Sequence, residues 1–262
     1  MYTSAPQSVK YKLIDKLQNY NAFVFYLIIL FSIISLIMGK FPCLNSEVLI
    51  VKNFIYVLLY IMYGIITIVV DYILYPEAQE VTRNDFLDNS LGTKFIEINS
   101  SSKYYSNDEL NEGFYRLAVN FFESCYFTVN ISNKMKFKKL VVTLVLLLCF
   151  FPLIYIGIKE TYQLVIIALQ SLLSVYFFSG LLKLMLFSKR NNEIFESLKQ
   201  LFQVENLKGN MNSYTGLLLK LYLDYESNKA WSYIHLSSEI YEKMNIQLSE
   251  EWNQIKTKYS IS

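Results

Sequence analysis

Apolar residues fill four windows of this chain almost without interruption: Ala22 to Met38, Val48 to Val70, Leu140 to Ile158 and Leu164 to Leu186. An α-helix needs about 20 predominantly apolar residues to cross the hydrocarbon core of a bilayer, and the remaining apolar stretches are too short for that. The pattern predicts an all-α membrane protein with four transmembrane helices, a cytosolic helical insert and a helical C-terminal region. The predicted organisation is 1–74, an N-terminal segment with the first two spans; 75–138, the insert; 139–188, spans three and four; and 189–262, the C-terminal region.

In the insert, "YPEAQEVTRNDFLDNSLGTKF" predicts a helix that continues from span two and ends near "DNSLG",. The stretch "INSSSKYYSND" reads as a loop, and "DELNEGFYRLAVNFFESCYFTVNISNKM" resumes a helical pattern with Asp108 as its expected N-cap,. The C-terminal region predicts a helix over "NEIFESLKQLFQV", a broken one over "SYTGLLLKLYLDYESNKAWSYIHLSSEIYEKM", and a last one over "LSEEWNQIKTKYS". The last is expected to open on Ser249 as cap, with Glu250 and Glu251 in its first turn,.

Span two is not uniformly apolar. Lys52, Tyr56, Tyr60, Tyr63, Thr67 and Asp71 recur in it at helical spacing. At about 100° per residue they stay within an arc of roughly 100°, and at about 1.5 Å per residue they run roughly 28 Å along the axis, the thickness of a bilayer core. The charges stand at the ends, where they cost less than at mid-bilayer. Two readings fit: hydroxyls that bond helices together inside a bundle, or hydroxyls that line a watery pathway or its gate. Span four carries a shorter set, Gln163, Gln170 and Ser174, with Ser171 beside them and Ser179, Gly180 and Lys183 near its end. Four helices enclose little pore by themselves, so conduction implies a homo-oligomer. Pro152, in the middle of span three, removes a backbone hydrogen bond and favours a kink,.

Composition agrees with this class. Of 262 residues, 53% are hydrophobic and only 18% charged, well to the apolar side of soluble domains,. The formal charge of +2 conceals a strong asymmetry. Lys10, Lys12 and Lys16 precede span one, Lys134, Lys136, Lys138 and Lys139 crowd the start of span three, and Lys183, Lys189 and Arg190 close span four. The positive-inside rule then places both termini, and the connection between spans two and three, in the cytoplasm. Cys43, Cys125 and Cys149 share no metal-ligand spacing and are expected to be packing residues,.

Catalytic chemistry finds no support. The single histidine, His235, falls on an expected helix among aromatics, and no nucleophile-elbow, Walker A, zinc-protease or dinucleotide motif is present,. The acid pairs in "NDFLD" and "NDELNE" are of the kind that helix caps and solvated faces produce. No enzyme activity, metal or cofactor is expected.

The run "NKMKFKKL" suits anionic lipid headgroups, with the bilayer itself as partner,. A second reading groups Arg83, Lys94, Lys103, Tyr104, Tyr105 and Arg116 with Lys134 and Lys136 as an aromatic and basic surface for a phosphate-bearing ligand, since rings stack on bases while cations meet phosphates,. Acids are about as numerous as bases in the insert, which argues against a broad nucleic-acid face.

At "DNSLGTKF", "YYSND", "RLAVNFFESCYFT" and the tail "YLDYESNKAWSYIHLSSEIYEKMNIQLSEEWNQIK", the chain resembles small four-span membrane effectors of bacterial antiphage operons. The nearest groups are the SMODS-associating four-transmembrane effectors and the channel component of the Hailong system. The resemblance covers the whole order of elements and rests on structural, not catalytic, motifs. It implies a channel in the bacterial inner membrane that permeabilises the cell during infection. It also implies control by a nucleotide or single-stranded oligonucleotide from a partner nucleotidyltransferase; in Hailong-type systems a DNA oligomer holds the channel shut.

Overall fold

The computed structural model describes residues 7–38, 46–96, 107, 109–157 and 164–261, with backbone alone over 151–157, 164–177 and at some positions of the helices before them. Among the described residues every regular element is helical. They are α1 (Ser8–Met38), α2 (Ser46–Ile68), a π-helical turn (Val69–Leu74), α3 (Tyr75–Leu91), α4 (Phe114–Gly157), α5 (Leu164–Phe202), α6 (Met211–Ser232) and α7 (Ser238–Lys258). From Ile50 to Leu91 the helix is continuous, and among the described residues it is the one long and apolar enough to cross a membrane.

Two expected helix boundaries do not exist. The insert helix and span three form one 44-residue helix, α4, whose helical backbone passes Pro152 and reaches Gly157. Likewise "NEIFESLKQLFQV" is the end of α5, continuous with span four. The lysine-rich junctions contain no glycine or proline, and lysine and arginine are good helix formers. Basic residues there do not break the helix.

Local chemistry explains the boundaries that do exist. The α3 helix ends at Gly92, whose positive φ of 69° lets its amide reach the Asp88 carbonyl at 3.0 Å,. Asp88 then receives the onward chain: its carboxylate accepts hydrogen bonds from Thr93 Oγ1 (2.7 Å), the Phe95 amide (2.8 Å) and the Ile96 amide (2.9 Å). The α7 helix starts at Ser238, with the Ser237 hydroxyl accepting from the Ile240 amide, so the cap expected at Ser249 is an interior position. Ser237 wins because the chain breaks there: Tyr233 takes a left-handed conformation and Ile234 to Ser237 are irregular. His235 lies in that connection, not on a helix, and stacks on Tyr11 with centroids 5.0 Å apart. The cap expected at Asp108 falls outside the described residues.

The chain divides into two compact units. One comprises Met1–Lys12, Tyr75–Lys138 and Leu182–Ser262; the other comprises Leu13–Leu74 and Lys139–Leu181. The first has a dense aromatic core in which Phe122 stacks on Phe202 at 4.8 Å and meets Trp252 edge-on at 5.4 Å. Leu117, Phe121, Leu198, Leu218 and Leu248 close round it, all with almost no exposed surface. Each fully buried side chain of this size stabilises by about 1.5–3 kcal/mol relative to exposure, which holds the parts of α4 and α5 within this unit together with α6 and α7. In the second unit Val24, Phe25 and Ile28 of α1 pack with Tyr56 of α2.

Candidate functional site

The polar stripe of α2 is turned toward α1. Tyr56 is buried, Tyr60 and Tyr63 pack beside it, and the Phe25 ring lies 6.0 Å from that of Tyr63. The hydroxyls of Tyr56 and Tyr60 are 3.2 Å apart, and Asn21 Nδ2 donates to Thr67 Oγ1 at 2.9 Å. The opposite face is apolar and exposed: Phe54, Val57, Leu58, Ile61, Ile65 and Ile68 point outward. Such inversion, hydroxyls within and apolar side chains without, is what hydrocarbon solvent favours, because polar groups there must find protein partners. Lys52 and Asp71 stand half-exposed at the two ends, with Asp71 inside the π-helical turn. Within one chain, therefore, the middle of the stripe is a helix–helix contact. Gln163 lies outside the described residues, and Gln170 and Ser174 have described backbone only.

In the other unit, a buried polar network joins the end of α3 to the start of α4. Asn120, with no exposed surface, donates from Nδ2 to Asn89 Oδ1 (3.0 Å) and to Ser90 Oγ (3.0 Å). Its Oδ1 accepts from Asn107 Nδ2 at 2.9 Å, and the same Asn107 amide donates to Glu123 Oε2 at 2.7 Å. Arg116 donates from Nη2 to Asn89 Oδ1 and from Nη1 to the Leu110 carbonyl, each at 3.3 Å. The Gly113 amide meets the Ser90 carbonyl at 2.9 Å. Burial pushes the Glu123 carboxyl up to about 7, with the Asn107 hydrogen bond and the Lys256 charge pulling the other way and Glu109 adding to the rise.

This network was not singled out in sequence. Asn89, Ser90, Asn107, Asn120 and Glu123 are spread over 35 positions, from the end of one expected helix through a loop into the next, and only the fold brings them together. The acid pair in "NDFLD" divides: Asp88 does cap the end of α3, but Asp85 is 1% exposed and so not on a solvated face.

Among the described residues expected to meet a phosphate-bearing ligand, Arg116, Lys134 and Lys136 are spread along one helix. Arg116 is engaged by acceptors of its own chain. Lys134 is exposed on α4 and Lys136 donates to Asn133 Oδ1 at 2.9 Å, so both lie on the same helix as Arg116. At about 1.5 Å per residue, Arg116 and Lys134 are roughly 27 Å apart along the axis, beyond the reach of a mononucleotide. Arg83 is half-buried on α3 and Lys94 is exposed after its end, while Lys103, Tyr104 and Tyr105 lie outside the described residues. Cys125 is the packing residue expected: it is fully buried, donates to the Asn191 carbonyl at 3.5 Å, and has its thiol pushed up by burial. Among the described residues no group of histidine, cysteine and acidic side chains is arranged to hold a metal ion. Comparison with protein-family models, with curated proteins and with solved structures yields no match to this chain.

Proposed function

We propose that the chain is a multi-pass protein of the bacterial inner membrane that assembles as a homo-oligomer and forms a gated ion pathway. In this reading it acts as an antiphage effector controlled by a nucleotide or oligonucleotide from a partner nucleotidyltransferase. The observation that carries the proposal is the continuous helix from Ile50 to Leu91. A bilayer-length segment with hydroxyls along one side runs through a π-helical turn into α3, whose last turn is tied to α4 by the buried asparagine network. A ligand that reorders the connection between α3 and α4 has a direct backbone route to the stripe. The separation of the cations along α4 fits an extended, multi-phosphate ligand better than a compact one. Because α1 covers the stripe within one chain, opening requires α1 to withdraw, or stripes from several copies to meet water together.

The alternative is a non-conducting membrane anchor whose cytosolic helices bind a partner protein. The covered stripe favours it, since Asn21 already donates to Thr67 between α1 and α2.

Ion flux from liposomes containing the purified chain, with and without single-stranded oligonucleotides, tests the proposal. Single-cysteine variants at positions 56, 60, 63 and 67 should react with an aqueous thiol reagent only in the conducting condition. Absence of flux in every condition, with toxicity in cells unchanged by Tyr60→Ala and Tyr63→Ala, would reject the channel and leave the anchor.

A further inference from the structure

The two tryptophans have opposite environments. Trp252 is 1% exposed in the aromatic core, whereas Trp231, in the last turn of α6, is 55% exposed. Its place along the fold is fixed by three contacts in which α6 runs back beside α5. Arg190 Nη2 lies 3.6 Å from Asp224 Oδ1, Asn228 Nδ2 donates to the Phe187 carbonyl at 3.2 Å, and the Lys183 ammonium sits 5.7 Å from the Tyr233 ring. Trp231 falls between the second and third of these, level with residues 183–187 of α5.

One face of the α5–α6 pair therefore changes character along its length. Away from the spans it is ionic, with Asp224 between Arg190 and Lys220. Leu186 stands one turn before Arg190 and Trp231 two turns after Asp224, which puts both on that same face nearer the apolar half of α5. Leu182, Met185 and Leu186 are 57%, 46% and 43% exposed. On α5 the rim at this level is basic, with Lys183 and Lys189 and no acid between them, while Arg190 is held by Asp224 and Glu226 of α6 is paired with Lys229. A patch with an indole and three aliphatic side chains over a cationic rim is ill-suited to water. It is equally ill-suited to a second copy of itself, which would set cations against cations. Anionic lipid headgroups above acyl chains satisfy both parts, and tryptophan prefers that boundary because its ring is apolar while its N–H needs an acceptor.

We propose that this face of the α5–α6 pair rests in the lipid interface, with Trp231 as its anchor, so that the C-terminal region lies on the membrane surface. The proposal rests on the membrane reading given above.

The test uses the full chain in vesicles of phosphatidylcholine and phosphatidylglycerol, with and without brominated acyl chains that quench nearby indoles. Trp252→Phe, which leaves Trp231 as sole emitter, should lose at least about half its emission in brominated vesicles. Trp231→Phe, which leaves the core tryptophan, should lose little. If Trp252→Phe folds poorly, the difference between the unsubstituted chain and Trp231→Phe supplies the same quantity. A chain that survives alkaline carbonate washing, yet whose Trp231 is untouched by bromolipid, overturns the anchor alone. Quenching by aqueous iodide would then mark a free surface, and protection from both quenchers a protein-covered one. A chain stripped from the vesicles by carbonate removes the membrane reading itself and the anchor with it.

Discussion

Asn21 and Thr67 are joined side chain to side chain, the amide Nδ2 donating to the hydroxyl at 2.9 Å, and this bond ties α1 to the α2 stripe one turn before Asp71. Thr67→Val keeps the shape and removes the acceptor. Interhelical hydrogen bonds in membranes are worth about 0.6 kcal/mol on average and up to about 2 kcal/mol. A double-mutant cycle with Asn21→Ala, read by unfolding in detergent, should give a coupling in that range; additive effects would mean that the bond does not form.

Glu123 sets a pH dependence. Its carboxyl is raised from 4.5 to about 7 by burial, so between those values the folded chain holds a proton that the unfolded chain has released. Stability must then fall as pH rises through that window and level off above it. At about 1.4 kcal/mol per pH unit the total comes to about 3–4 kcal/mol at most. Glu123→Gln, which keeps an acceptor for Asn107, should flatten this slope in urea unfolding curves of the detergent-solubilised chain.

The end of α3 depends on Gly92. A Cβ there would collide with the Glu112 carboxylate, and the positive φ of 69° disfavours any L side chain. Gly92→Ala should cost about 1–2 kcal/mol. Adding Glu112→Ala should recover only the contact portion of the loss, which separates crowding from backbone strain.

Trp252 contributes volume. It meets Phe122 edge-on, and its indole nitrogen has no hydrogen-bond partner. Trp252→Ala should destabilise by about 3–5 kcal/mol through the cavity it leaves. Trp252→Phe forfeits no hydrogen bond and should cost markedly less, as measured by the denaturation midpoint.

The sequence revealed period and polarity well, and partnership poorly. Hydroxyls every three or four residues in α2 marked a face, but only the fold identifies Phe25 and Asn21 as its neighbours. The helical character of the insert and tail follows from their pattern, whereas the fusion of "NEIFESLKQLFQV" with span four does not, because a basic run looks like a boundary in a hydropathy reading. Ser249 and Ser237 are equally good caps in isolation; the left-handed turn at Tyr233 decides between them. Arg116 read as a ligand-seeking cation because the acceptors it meets, Asn89 and the Leu110 carbonyl, belong to distant or loop positions.

The π-helical turn at Val69–Leu74 gives the long helix an independent angular setting. A wider turn advances less about the axis per residue than α geometry, so α2 and α3 each keep their own phase while sharing one backbone. Deleting one residue of the turn other than Asp71 would bring the segment back to regular winding and change the phase of α3 relative to α2, without removing a side chain from the stripe or from the asparagine network. Orientation and chemistry can thus be varied separately in this helix, a handle that substitutions alone do not provide.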